Sequence, residues 1–276
     1  MGGETLVLTH DMIVEGVHYL PDDPAADVAW KLVAVNLSDL AAKGAQPLGA
    51  LLGFTLGHET WDRAFAQGLA AALAAFGMPL LGGDTVSAPA RVLGLTAIGR
   101  ATGPVPSRAG ARPGDQLWVS GAIGDAGAGL KALQGTLARS DALIERYRNP
   151  RPRLDAGQRL APIVSAMMDV SDGLLIDASR MAAASGCAIG IALDTLPLSD
   201  AFLAACGEAR LDAATAGDDY ELLFAAGPER APAVLALADE LGLPFSRIGA
   251  CAAGAGLALS QTGAPVPLPP RLGFEH

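Results

Sequence analysis

Five places in this 276-residue sequence put a carboxylate beside small or hydroxyl residues, next to an apolar segment. The clearest is "MPLLGGDTVS" (78–87), where an apolar run reaches two glycines and then Asp84. Taken alone, Gly-Gly-Asp-Thr is ordinary turn chemistry at the end of a buried strand. The repetition constrains the fold more strongly, because strand ends in an α/β protein tend to meet at one crevice. We therefore predict an α/β fold whose acidic residues converge.

The first half of the chain alternates strand and helix patterns. Two β segments broken near His10-Asp11 come first, followed by a helix at 21–44, a strand at 48–56 and a helix at 59–77. The apolar strand that stops at the glycine pair and a strand at 91–101 complete this half. The segment "TGPVPSRAGARPGD" (102–115) is dense in glycine and proline, which is typical of a linker. We predict two domains, 1–103 and 112–276.

The second half repeats the alternation. We predict a strand in "QLWVSG", a helix ending at Leu133, one or two helices within 138–165 and a strand–Asp–helix unit at 166–186. Strands in "CAIGIAL" and "YELLFAAG", a helix in "ERAPAVLALADELG" and strands in "FSRIGAC" and "GLALSQ" follow. The fold class is a two-domain α/β (α+β) protein.

Composition excludes several classes of function. The net charge of −10 argues against a nucleic-acid binder, which needs a basic face to neutralise phosphates. The densest apolar helical run, 68–77, is too short to cross a membrane, and the N-terminus lacks the pattern of a signal peptide. Three scattered cysteines form neither a disulfide framework nor a zinc pair. We expect a cytoplasmic protein with no membrane or nucleic-acid partner.

The acidic residues indicate metal-assisted chemistry. The carboxylates concerned are Asp11, Asp39, Asp84, Asp169, Asp172, Asp218, Asp219 and Glu221. Each alone is also explained as a turn, cap or solvated helix residue, such as Asp172 as a helix N-cap. Two carboxylates about 4 Å apart repel by roughly 4 kcal/mol at an effective dielectric of 20, so several together need neutralisation. Oxygen ligands favour Mg²⁺, and several Mg²⁺ ions would bridge a polyphosphate during phosphoryl transfer.

The usual signatures of other enzymes are missing from the sequence. The segment "GDAGAGLK" (124–131) ends Gly-Leu-Lys and is therefore no Walker loop. There is no dinucleotide fingerprint, no protein-kinase motif set and no nucleophile elbow.

Seven segments, taken in order, resemble the thiamine-monophosphate kinase family, which shares an ATP-binding superfamily with aminoimidazole ribonucleotide synthetase. They are "DMIVEGVHYLPDD", "AVNLSDLAAKGAQP", "LLGGDT", "SRAGARPGD", "VSGAIGDAGAGL", "DVSDGL" and "GDDYELLF", and the ending "GFEH" also fits. The resemblance implies ATP-dependent phosphorylation of thiamine monophosphate to thiamine diphosphate with several Mg²⁺ ions. It also implies a homodimer in which the mixed sheets of the N-terminal domains pair into a shared barrel.

The resemblance also assigns roles to individual residues. Metal ligands are expected at Thr9, His10, Asp11, Asp39, Asp84, Asp169 and Asp172. ATP contacts are expected at Gly83, Asp84, Arg108 and Ser171. Acceptor contacts are expected at His18, Asp218 and Arg271. No general base is assigned, because an anionic phosphate acceptor needs little deprotonation at neutral pH.

Four features depart from the family pattern. The sequence starts after a leading segment that supplies a further metal ligand, which leaves open a truncated start or a lost ligand. His10 replaces a usual Thr or Ser, and Asp218 replaces a usual Glu, which shortens the reach by one methylene. Arg271 occupies the place where an aromatic substrate contact is expected.

Two alternatives stay open from the sequence. One is a non-catalytic homologue that binds nucleotide or thiamine phosphate without turnover. The other is a different ATP-dependent synthetase of the same superfamily. Within that second group, a selenophosphate synthetase would need a reactive Cys or Sec near the N-terminus, and a hydrogenase maturation protein a C-terminal Cys. Neither feature is present.

Overall fold

The computed structural model describes residues 5–275, and its N-terminal part is a four-stranded sheet covered by two helices. The strands are β1 (Thr5–Val14), β2 (Gln46–Leu56), β3 (Leu80–Ser87) and β4 (Val92–Ala101), and the helices are α1 (Ala25–Ala42) and α2 (Glu59–Ala75). The order across the sheet is β1-β4-β2-β3. The β2–β3 pair is parallel and the other pairs are antiparallel, so the sheet is mixed.

The C-terminal part is built on a seven-stranded sheet. Its strands are β5 (Gln116–Ser120), β6 (Ala166–Asp169), β7 (Ala188–Ala192), β8 (Leu222–Ala226), β9 (Phe245–Ala252), β10 (Gly256–Gln261) and β11 (Ala264–Val266). They lie in the order β11-β10-β7-β9-β5-β8-β6, and only β7 and β10 pair in parallel. Seven helices accompany them: α3 (Asp125–Leu133), α4 (Asp141–Arg148), α5 (Leu154–Leu160), α6 (Leu174–Ser185), α7 (Asp200–Cys206), α8 (Arg210–Thr215) and α9 (Ala231–Leu241).

Both faces of the seven-stranded sheet are buried around β5, β6 and β8. Successive side chains of a strand point to opposite faces, and Leu117 and Trp118 of β5 accordingly belong to different apolar cores. The core around Trp118 also contains Ala41 and Ala42, the last residues of α1. Helix α1 therefore packs against both domains, which explains why it is buried around most of its circumference.

Helix α1 and the strands of both halves form where the sequence predicts them, but three local expectations are wrong. β1 is a single strand without a break near His10-Asp11, because all ten of its residues pair in one register with β4. β3 runs through the glycine pair and Asp84 to Ser87, and all eight of its residues are exposed, so it is neither interrupted nor buried. The sequence analysis also missed α7, α8 and β11.

Within residues 5–275, no helix is both long enough and apolar enough to cross a bilayer. Cys187, Cys206 and Cys251 are free thiols.

Candidate active site

Residues from both domains line one cavity of about 340 Å³. The N-terminal domain contributes Asp11 and Asp39, and the C-terminal domain contributes Asp169, Asp172 and Asp218. These carboxylates come from motifs that are far apart in the sequence. The predicted convergence of acidic residues is therefore found for these five carboxylates, but not for Asp84, Asp219 and Glu221, which do not line the cavity.

The β1 end of the cavity is held against α1 by two hydrogen bonds. Thr9 Oγ1 donates to Asp39 Oδ2, and the Asp11 backbone N–H donates to Asn36 Oδ1 at 2.9 Å. Thr9 and Asp11 lie on one face of the strand because side chains alternate. His10 lies on the opposite, exposed face, with its Nδ1 2.9 Å from Thr96 Oγ1. The structure thus brings Thr9, Asp11 and Asp39 together and separates His10 from them.

Asp169, at the end of β6, is the most strongly perturbed carboxyl of the cavity. Ser38 Oγ donates to its Oδ2 at 2.6 Å. Burial, followed by the neighbouring Asp39 carboxylate, raises the pKa of Asp169 from 3.8 to about 8. A cation bound beside Asp39 and Asp169 would favour the ionised form of Asp169 and so release its proton.

The segment after β6 is fixed by a buried carboxylate that the sequence analysis did not single out. Asp177 Oδ2 accepts the backbone N–H groups of Ser171 at 3.0 Å and Asp172 at 3.1 Å. Arg180 Nη1 bridges Asp177 Oδ1 at 2.8 Å and Asp172 Oδ2 at 2.5 Å. Burial raises the pKa of Asp177 to about 6. Asp177, rather than Asp172, therefore satisfies the donors that precede α6.

The "GDDYE" segment runs beside residues 170–171. Backbone N–H groups of Asp218 and Tyr220 donate to the carbonyls of Ser171 and Val170, each at 2.8 Å. Asp218 and Tyr220 have φ values of +69° and +51°, a left-handed conformation that is uncommon outside glycine. Such conformations cluster at functional sites, where the surrounding structure holds them.

The remaining two acids of that segment are structural. Asp219 Oδ2 accepts the Gly124 backbone N–H at 2.8 Å. Glu221 is fully buried and receives bonds from Ser120 Oγ at 2.6 Å, Arg146 at 2.8 Å and Arg153 Nε at 2.7 Å. Neither side chain lines the cavity. The sequence places Asp219 and Glu221 with the site acids because adjacency in the sequence does not reveal which way a side chain faces.

His18 lines the same cavity as Asp218. The Val14 backbone N–H donates to its Nδ1 at 3.1 Å, so Nε2 carries the proton of the neutral ring. Ser171 also lines the cavity.

Six predicted residues lie outside the lining of this cavity: Thr9, His10, Gly83, Asp84, Arg108 and Arg271. Asp84 Oδ1 accepts the Thr85 backbone N–H at 2.9 Å on exposed β3. Arg108 lies on the linker, where its carbonyl accepts a bond from Ser185 Oγ at 2.8 Å. Gly83 is required by close approach, since a Cβ there would lie 2.0 Å from the Leu52 carbonyl oxygen.

The aromatic side chain that reaches the cavity from the C-terminus is Phe274, whereas Arg271 is exposed. The Phe274 backbone N–H donates to the Asp172 carbonyl at 2.8 Å, which ties the C-terminal segment to the acidic side. Phe274 and Tyr147 of α4, another lining residue, are not among the site residues predicted from the sequence. The "GFEH" ending was the available signal for Phe274.

Comparisons with known proteins agree with this architecture. Residues 1–101 match the family "AIR synthase related protein, N-terminal domain", and residues 112–260 match the corresponding C-terminal domain. A thiamine-monophosphate kinase of Salmonella typhimurium is 40% identical over 99% of this chain and 87% of its own length. One from Caulobacter vibrioides is 42% identical over 99% of this chain and 81% of its own length. The chain belongs to the thiamine-monophosphate kinase family.

Solved structures extend the match to three dimensions. A thiamine-monophosphate kinase crystal structure from Stenotrophomonas maltophilia K279a superposes with a TM-score of 0.88 at 39% identity, covering 96% of this chain and 87% of the other. The structure described as "AaThiL complexed with AMPPCP and TMP" gives 0.87 at 30% identity, covering 99% and 88%. A hydrogenase maturation protein HypE in complex with ATP gives 0.80 at 20% identity, covering 99% of this chain and 86% of the other. That likeness concerns the fold alone.

Proposed function

We propose that this chain transfers the γ-phosphate of ATP to thiamine monophosphate and so forms thiamine diphosphate. The observation that carries the proposal is the cavity, in which Asp11, Asp39, Asp169 and Asp172 line the same space as His18 and Asp218. Membership of the thiamine-monophosphate kinase family supports the same reaction. A related kinase has been crystallised with AMPPCP and TMP, which fits a site for two phosphorylated molecules.

Mg²⁺ is part of the proposal, and the carboxylates of the cavity suit a cation that takes only one or two ligands from the protein. Among the described residues no group of three or more His, Cys, Asp or Glu side chains is arranged to hold a metal ion. Mg²⁺ usually takes one or two carboxylates and completes its coordination with water and substrate phosphates. The neighbouring carboxylates of Asp39 and Asp169, which both line the cavity, supply such a partial site. When bound, the ions neutralise phosphate charge and align ATP with the acceptor.

The individual ligands follow from the family resemblance and the geometry. We propose Thr9, Asp11, Asp39, Asp169 and Asp172 as the metal side of the cavity. His10 and Asp84 remain proposed ligands although both lie outside the cavity lining. Gly83, Asp84, Arg108 and Ser171 are proposed to hold ATP. An arginine suits phosphate because its planar fork matches phosphate oxygens.

His18 and Asp218 are proposed to hold the acceptor, and Phe274 is the aromatic residue placed to contact it. Arg271 remains a proposed acceptor contact from the resemblance. No residue is proposed as a general base, since the acceptor phosphate is already anionic near neutral pH.

A homodimer is proposed from the exposed face of the four-stranded sheet. Leu6, Leu8 and Met12 of β1 are 58%, 64% and 51% exposed, and Leu81 of β3 is 58% exposed. Contiguous exposed apolar patches mark interaction surfaces. A second copy of this chain placed there would extend the sheets toward the barrel that the family resemblance implies. The four-stranded sheet of the single chain is open.

We also propose that the N-terminal domain ends at residue 103 and the C-terminal domain begins at residue 112. The N-terminal domain would bind ATP and form the dimer, and the C-terminal domain would close the substrate site. β4 ends at Ala101 and β5 begins at Gln116, which supports a division between them. A cytoplasmic location is proposed together with this activity, with no nucleic-acid or membrane partner.

The proposal is tested by measuring thiamine diphosphate formed from ATP, Mg²⁺ and thiamine monophosphate. Asp169→Asn should lower turnover at least about a hundredfold because a metal ligand is lost. Asp239→Asn, at an exposed position of α9, is the matched control and should have the same turnover as the unchanged protein. Binding of ATP without product would favour a non-catalytic homologue. Product formation by Asp169→Asn at the normal rate would contradict the assigned site.

A further inference from the structure

Lys31 of α1 is only 2% exposed, and its ammonium group has three partners. Nζ donates to the His18 carbonyl oxygen at 3.0 Å and to Asp218 Oδ2 at 2.8 Å. It also lies 3.8 Å from the centre of the Tyr147 ring, a cation–π distance. Lysine is rarely buried without such partners, because an unpaired ammonium group loses its hydration.

The three partners come from three separate parts of the chain. His18 follows β1, Tyr147 lies on α4, and Asp218 belongs to the loop before β8. All three line the cavity, whereas Lys31 does not. Lys31 therefore lies behind the residues that line the cavity, and its ammonium group contacts residues of both domains.

Asp218 is held at both carboxylate oxygens. Oδ2 is bound by Lys31, and Oδ1 accepts the Tyr220 hydroxyl at 3.1 Å. The left-handed backbone of Asp218 and Tyr220 needs such support, since few non-glycine residues adopt it. Removing the Lys31 charge would leave a partly buried carboxylate without its cation and would free the loop to move.

We propose that Lys31 is a positioning residue for the phosphate acceptor, which it affects only through His18 and Asp218. The inference rests on the proposed function, in which those two residues hold thiamine monophosphate. It also explains how the shorter Asp218 side chain is kept in one place. None of the four residues proposed to hold ATP is among the partners of the Lys31 ammonium group, so the effect should concern the acceptor and spare the nucleotide.

The test is steady-state kinetics of the full chain with Lys31→Met and Lys31→Gln. We expect the KM for thiamine monophosphate to rise at least about tenfold in Lys31→Met, with the KM for ATP within about twofold of the unchanged protein. Lys31→Gln can still donate to the His18 carbonyl and should show a smaller rise. Lys131→Met is the matched control, because Lys131 is exposed and pairs with Asp212 on the surface at 3.2 Å. It should leave both KM values unchanged.

A double variant separates positioning from a general loss of structure. Because Lys31 acts partly through Asp218, the loss of acceptor affinity in Lys31→Met combined with Asp218→Asn should be smaller than the sum of the two single losses. Additive losses would contradict the proposal. Equal rises in both KM values, or a fall in kcat with both KM values unchanged, would overturn it. If thermal melting shows that Lys31→Met does not fold, Lys31→Gln decides by the same criteria.

Failure of the proposed function gives a different pattern. If the unchanged protein forms no thiamine diphosphate, the kinase assignment fails, and calorimetric titration with thiamine monophosphate then decides the role of Lys31. Weaker binding by Lys31→Gln than by the unchanged protein would support positioning, and equal binding would overturn it. If the unchanged protein binds no thiamine monophosphate at all, both proposals fail.

Discussion

Ser38 Oγ and Asp169 Oδ2 lie 2.6 Å apart, although 131 positions separate the two residues in the sequence. Ser38 is on α1 of the N-terminal domain, and Asp169 ends β6 of the C-terminal domain. This bond joins the domains at the acidic side of the cavity. It also stabilises the ionised form of a carboxyl group whose burial and whose neighbour Asp39 favour the protonated form.

The raised pKa of Asp169 predicts that this carboxyl group lowers the stability of the Mg²⁺-free protein at neutral pH, although the same group is proposed to bind the metal. Between pH 4 and 8 the folded Mg²⁺-free protein keeps a proton that the unfolded chain has released, so its stability should fall as pH rises through this range. Asp169→Asn removes this loss and should raise the free energy of unfolding at pH 8 by on the order of 2–5 kcal/mol. Urea unfolding in EDTA measures the difference.

The same variant provides a pH control. At pH 4 the Asp169 carboxyl is protonated in the folded protein and still nearly half protonated in the unfolded chain, so little of the pH-dependent loss has developed and Asp169→Asn should match the unchanged protein closely. A stabilisation that is equal at both pH values would show that the gain comes from packing and not from charge.

Gly83→Ala should destabilise β3 because a Cβ atom at this position would lie 2.0 Å from the Leu52 carbonyl oxygen. We expect a loss of about 2–3 kcal/mol in the free energy of unfolding, together with weaker ATP binding. Gly82→Ala is the matched control, since its Cβ would have Leu51 Cδ2 at 3.7 Å as its nearest neighbour, an ordinary contact. Equal thermal midpoints for the two variants would contradict the steric argument.

Leu8→Glu should prevent dimer formation. Leu8 is 64% exposed at the centre of the apolar face of β1, and a buried glutamate there would be costly to desolvate. Light scattering after size exclusion should give a monomer mass for this variant and a dimer mass for the unchanged protein. Leu235→Glu, at a 49% exposed position of α9, should leave the mass unchanged. A monomeric unchanged protein would refute the proposed interface.

Phe274→Ala should raise the KM for thiamine monophosphate about tenfold or more, because the ring lines the cavity. The KM for ATP should change little. Arg271→Ala should raise the KM for thiamine monophosphate less than Phe274→Ala does, since Arg271 is exposed and outside the lining. The opposite result, with the effect in Arg271→Ala only, would support the alignment of Arg271 with the family's aromatic contact.

Much of the fold is predictable from local patterns. The apolar spacing along 21–44 indicates a helix, and α1 occupies Ala25–Ala42 within that range. Helix α2 and strands β2, β4 and β5 also form where the sequence predicts them. Helices α7 and α8 were missed because each is only one or two turns long, too short for periodicity to be recognised.

The candidate site was less predictable because it depends on which way each side chain faces. Thr9, His10 and Asp11 are consecutive in the sequence, but pairing of β1 with β4 directs His10 to the exposed face. Lys31 looks like any helix lysine in the sequence. Its role depends on Asp218, a residue 187 positions away.

The sequence by itself determined most of the order of helices and strands, the two-domain division and the identity of most acids around the cavity. Those properties follow from backbone periodicity and from which residue types accept a cation. Only the tertiary structure decided that α1 is buried between both domains, that β3 is exposed, and that Asp219 and Glu221 are structural. Each of these depends on contacts between segments that are far apart in the sequence. The distance between two segments along the chain does not show whether they meet in space.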